Sequence, residues 1–124
     1  MGWIAAGHRF SGVLRWALDS WVEDPLRDTR YVSWNAGEAF LIYPGPRSSI
    51  RFERLREGFQ DYEKIRLVRE RLGARSDAEA RERLEELERR LTEMTYQKLQ
   101  DRPGETALAQ GRTALERAAE LLGR

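Results

Sequence analysis

The chain has 124 residues with 40% hydrophobic content, enough to bury a core as a single domain and too much for disorder throughout. Its 22 Lys and Arg balance 21 Asp and Glu to a net charge of +1, so no global field draws it to nucleic acid or an anionic membrane. It has no cysteine, which excludes disulfide frameworks and thiolate metal sites and fits a reducing compartment, and its single histidine, His8, excludes a histidine-rich metal centre.

The N-terminal stretch is apolar only as far as Ala6 before Gly7, His8 and Arg9 interrupt it. That is too short for a membrane span or a signal peptide, and Ala6 stands where N-myristoylation needs Ser or Thr, so a cytoplasmic location is the default expectation. Trp3 to Ala6 reads either as the end of a helix or as a tail. Val13, Leu14, Trp16, Ala17 and Leu18, interrupted only by Arg15, predict a first strand. The segment 19–38 shows no sustained period, yet Trp21, Tyr31 and Trp34 argue against disorder there. Its length permits a crossover between parallel strands and leaves a wide antiparallel pair open.

Ala39 to Tyr43 is short, apolar and aromatic, and Pro44-Gly45-Pro46 ends it, predicting a buried strand followed by a sharp turn. Ser48 and Ser49 offer hydroxyl caps to a helix whose apolar stripe is Phe52, Leu55, Phe59, Tyr62, Ile65, Val68 and Leu72, with Gly73 as its stop. Strand, turn and helix together predict a β-to-α step of a layered α/β architecture, with the loop facing the ligand side. Gly58 inside that helix costs roughly 1 kcal/mol against alanine, which a close approach of helix to sheet would explain.

Beyond Gly73, Ser76 and Glu79 form a capping-box pattern before Ala80, Leu84, Leu87, Leu91 and Met94 in heptad-like register. Arg102-Pro103-Gly104 breaks the chain, and Leu108, Leu115, Ala118, Ala119 and Leu122 mark one side of a last helix over 106–122. The two form an αα-hairpin whose stripes predict core packing, while runs such as Arg81-Glu82-Arg83 and Glu88-Arg89-Arg90 predict a solvated face. The expected division is 1–73, a β/α segment with a long loop, and 74–124, a helical hairpin packed on it.

Candidate chemistry is narrow. With no cysteine and His8 in a weakly patterned segment, nucleophilic triads find no support, and neither phosphate-binding glycine motifs nor metal-ligand spacings occur. No cofactor or metal is expected. Asp19, Glu23, Asp24, Asp28 and Glu38 cluster in the long loop or at its edges, where paired acids suit work on a glycosidic bond, but capping and salt bridges to Arg27 and Arg30 explain them as well. The sharper signal is aromatic. Trp16, Trp21, Trp34 and Tyr43 sit at strand ends or in the loop, and flat rings with a polar edge suit stacking on the C–H face of a sugar.

A specific pattern links these residues: Gly12, Leu14 to Ala17, Trp21, Asp24-Pro25, Tyr43 to Gly45, Ser49 to Arg51, Glu53, Leu55-Arg56, Gly58 and Asp61 to Glu63. From Trp3 to Leu72 the chain resembles the C-terminal end of the glycoside hydrolase family 123 catalytic domain and the related DUF4091 proteins. The resemblance implies an α/β fold holding the last two β/α units of a TIM-type barrel, followed by C-terminal helices, so that this chain is mostly helical. It implies kinship with exo-acting β-N-acetylgalactosaminidases, in which the substrate acetamido group is the nucleophile and an Asp-Glu pair on an earlier strand assists it.

The expectation is therefore a truncated, non-catalytic C-terminal portion that lines an N-acetylhexosamine pocket with Trp16, Trp21, Trp34 and Tyr43. Exposed strand edges would drive self-association or association with the missing barrel segment. The competing expectation is a small helix-rich oligomerisation module with no carbohydrate role.

Overall fold

The computed structural model describes residues 1–30, 35, 39–45, 47–100 and 103–123. Tyr31, Trp34, Glu38, Pro46 and Arg102, all drawn into the sequence reading, lie outside the described residues. The elements are α1 (Gly2–Gly7), α2 (Ile50–Gly73), α3 (Ala78–Thr92), α4 (Tyr96–Leu99), α5 (Gly104–Glu120) and a terminal 3-10 turn (Leu121–Gly123). The chain is mostly helical, and among the described residues no strand forms. No helix among them is long and apolar enough to cross a membrane.

Two compact units are present, Met1–Val13 with Gly58–Arg124, and Leu14–Glu57. This grouping crosses the expected 1–73 segment, because α1 and most of α2 share one core with the C-terminal helices. That core holds Trp3 and Ala6 of α1, Ile65, Val68 and Leu72 of α2, Ala80, Leu87 and Leu91 of α3, Met94, and Ala114, Leu115 and Ala118 of α5. Each fully buried aliphatic side chain contributes on the order of 1.5–3 kcal/mol. Trp3 to Ala6 is thus a packed helix and not a tail.

The α3 and α5 stripes meet each other as expected, and Arg90–Gln110 (3.0 Å) with Arg117–Glu86 (3.5 Å) show the two helices running antiparallel. Several details differ from the sequence reading. Along α2 the buried face is Asp61, Ile65, Val68 and Leu72, while Phe59 is exposed, so the predicted stripe drifts off the core in its first half. The cap of α3 is Asp77, which accepts from the Ala80 amide at 3.0 Å, displacing the expected Ser76 box by one residue. The predicted α3 register continues past the helix end, since Thr92 closes α3 while Met94 is still buried. In α5, Ala119 is exposed, and Gly111 and Ala114 take the buried positions.

Gly58 does mark a close approach, but to a helix. A methyl group on Gly58 would stand 3.3 Å from the Gly2 amide nitrogen, and one on Gly2 would collide with the Gly58 carbonyl. α1 therefore crosses α2 backbone to backbone, a contact that a side chain at Gly2 would prevent and one at Gly58 would crowd. Beside that crossing, the Trp3 indole donates to Asp61 Oδ2 at 2.8 Å and Arg112 Nε donates to the same oxygen at 3.0 Å. A buried carboxylate held by two donors satisfies the requirement that buried charge be paired.

Charged side chains also link elements. Glu88 takes a bidentate contact from Arg69 (2.5 and 2.9 Å), and Arg69 reaches the Ala6 carbonyl at 3.2 Å. Glu88 and Arg90 therefore bridge helices, in contrast to the solvated face predicted for their run. His8 is half-buried, stacks on Phe10 (centroids 5.1 Å, 12°) and accepts from the Tyr96 amide at 3.3 Å, so it links the end of α1 to the start of α4.

Candidate functional site

The predicted site residues fall in the unit Leu14–Glu57. Its buried centre is Ala39, Phe40 and Leu41, at 1%, 0% and 5% exposure. The segment expected to pair with them is not a strand, and Leu14, within it, is 96% exposed. Only its end engages. Leu41 N–H donates to the Leu18 carbonyl (2.8 Å), Ser20 N–H donates to the Ala39 carbonyl (3.2 Å), and Asp19 and Phe40 form one isolated antiparallel bridge. The two predicted strands thus reduce to a single antiparallel bridge, the pairing that the length of the connection left open beside a parallel one. A pair of segments with a single bridge lacks the neighbours that extend a ladder.

Side chains do the work a neighbouring strand would otherwise do. The Phe40 carbonyl lies 3.5 Å from Arg51 Nη2, the Leu41 carbonyl accepts from Ser49 Oγ, and the Ile42 carbonyl accepts from the Trp21 indole N–H at 2.8 Å. Ser49 has two tasks, because its oxygen also accepts from the Phe52 amide at 3.1 Å and caps α2, as its position in the sequence predicted. Tyr43 N–H donates to the Arg47 carbonyl at 3.0 Å, closing a turn in which Gly45 adopts φ 74°. The Tyr43 ring meets Phe40 edge-on, with centroids 5.4 Å apart at 82°, the geometry favoured by aromatic quadrupoles. The Arg51 guanidinium lies 6.0 Å from the Phe40 centroid.

Trp21 and Tyr43 are therefore joined through the Ile42 peptide. Trp21 is 41% exposed with its N–H engaged, and Tyr43 is half-buried. Trp16 is 68% exposed, and Trp34 lies outside the described residues. Phe40, Ser49 and Arg51 are the supporting residues that sequence reasoning did not assign to the site. Phe40 read only as core, and the Ser49-Ile50-Arg51 motif carried no hint that both polar side chains turn back on the preceding segment.

Two of the candidate acids, Asp28 and Asp24, take arginine partners. Arg30 grips Asp28 with contacts of 2.8, 3.0 and 2.5 Å, and these hydrogen bonds hold the Asp28 carboxyl down at about 2. Such a group stays ionised near neutral pH and holds no proton to give a leaving group. Asp24 pairs with Arg27 at 3.7 Å. Among the described residues no cluster of three or more His, Asp or Glu side chains is arranged to hold a metal ion.

The model of one protein family, described as the glycoside hydrolase 123 catalytic domain, matches residues 1–68. No curated protein matches the chain significantly. The matched span takes in α1, the aromatic segment with its turn and most of α2, and it exceeds half of the 124 residues. On that match, this chain belongs to the glycoside hydrolase 123 family through its catalytic domain.

Proposed function

We propose that this chain forms the barrel-end part of a glycoside hydrolase 123-type domain and supplies one wall of an N-acetylhexosamine pocket, with the Asp-Glu acid pair carried on another segment. The observation that supports it most is the Trp21 to Ile42 bond, which ties the long loop to the segment bearing Tyr43 within the matched span. Trp16 and Trp34 complete the proposed aromatic lining. Asp28 and Asp24 have arginine partners that suit them to holding the loop. The same unit carries large apolar side chains at high exposure, Leu14 at 96% and Ile50 at 82%, which association with the remainder of such a domain would cover.

Tryptophan fluorescence titrated with N-acetylgalactosamine and N-acetylglucosamine tests the reading. A saturable shift that Trp21→Ala or Trp34→Ala reduces is the expected result, and no response from the folded chain at tens of millimolar sugar would remove it. The oligomerisation-module reading is weaker, because Leu87, Leu91, Leu115 and Ala118 on the α3 and α5 stripes are buried within the chain itself.

A further inference from the structure

We propose that Trp21 is a positioning residue, whose indole N–H fixes the Tyr43 ring, and that Tyr43 makes the direct sugar contact. The inference rests on the carbohydrate reading above and deepens it. The Ile42 carbonyl and the Tyr43 amide N–H belong to one planar peptide group. Trp21 Nε1 donates to that carbonyl at 2.8 Å, and the amide donates to the Arg47 carbonyl at 3.0 Å, so the plane is held at both ends. Holding it restricts rotation about the Tyr43 N–Cα bond, which sets where the side chain leaves the backbone.

The ring is then fixed by Phe40, which has 0% exposure and meets it edge-on at 5.4 Å. Tyr43 is thus restrained in backbone and ring before any ligand arrives, the condition under which a stacking contact loses least side-chain freedom. Trp21 is differently placed. Its one donor is engaged by the protein, which leaves no indole N–H for a sugar hydroxyl, and removing that donor should be felt at Tyr43.

Trp21→Phe keeps an aromatic ring at a 41% exposed position and deletes the donor together with the second ring of the indole. Calorimetric titration with N-acetylgalactosamine should show affinity reduced about fivefold to tenfold in Trp21→Phe, the effect of one hydrogen bond, while Tyr43→Ala abolishes binding. Amide hydrogen exchange of Tyr43 in the sugar-free protein should accelerate by a similar factor in Trp21→Phe. Wild-type affinity or wild-type exchange in that variant overturns the proposal. Failure of the unmutated chain to bind the sugar would instead remove the carbohydrate reading, and the exchange comparison would then decide alone whether the clamp exists.

Discussion

Asp61 shows how one residue can organise several elements. Its carboxylate is 8% exposed and receives both the Trp3 indole and the Arg112 guanidinium, joining α1, α2 and α5 at one oxygen. Trp3→Phe retains most of the apolar burial and removes one donor to a buried charge, so urea denaturation should show a loss of about 1–3 kcal/mol. Gly111 faces the same indole from α5. A methyl there would lie 2.7 Å from the Trp3 ring, so Gly111→Ala should overpack the core and destabilise it by about 1–3 kcal/mol despite the better helix propensity of alanine. A Gly111→Ala protein as stable as the wild type would mean that Trp3 has room to move.

For the elements, helix boundaries reflect capping chemistry more closely than hydrophobic period. Asp77 accepts from Arg75 Nε at 2.8 Å and from the Ala80 amide at 3.0 Å, and these bonds, the arginine's foremost, hold its carboxyl below the ordinary value of 3.8. A carboxyl depressed in the folded state stabilises above its unfolded value, and that contribution is lost as pH falls through the folded value. Asp77→Ala should therefore lower the melting temperature at pH 7, and the difference from wild type should shrink progressively as the pH is taken below 3.8.

The α3 and α5 stripes were legible in the sequence because helical period and burial agree there. The cap of α2 at Ser49 was legible too, since a hydroxyl stands just ahead of a long apolar register. The predicted strands were not realised, because a strand depends on neighbours that the local sequence does not contain. Phe40 and its flanks are buried as expected, yet beyond two backbone bonds, to Leu18 and Ser20, their carbonyls turn to Trp21, Ser49 and Arg51 side chains. The three-way contact at Asp61 was illegible for a related reason. Trp3 and Arg112 stand 58 and 51 residues away in sequence, and no period connects them.

The whole molecule divides into units of different character. The helical unit buries a continuous core from Trp3 to Leu121, whereas Leu14–Glu57 buries chiefly Ala39, Phe40 and Leu41 and leaves Leu14, Trp16, Leu26 and Ile50 exposed. Stability should be distributed accordingly. Amides of α3 and α5 should be the last to exchange with deuterium, and those of 14–30 among the first. Equal protection in the two regions would contradict that picture.

The match to a glycoside hydrolase catalytic domain and the tethered aromatic residues meet in the second unit, where the proposed ligand contact lies. Amide and indole chemical-shift mapping with N-acetylgalactosamine tests that placement most directly. The account predicts saturable shifts concentrated at the Trp21 indole, Ile42 and Tyr43. Shifts confined to α3 and α5, or none at saturating sugar, would contradict it.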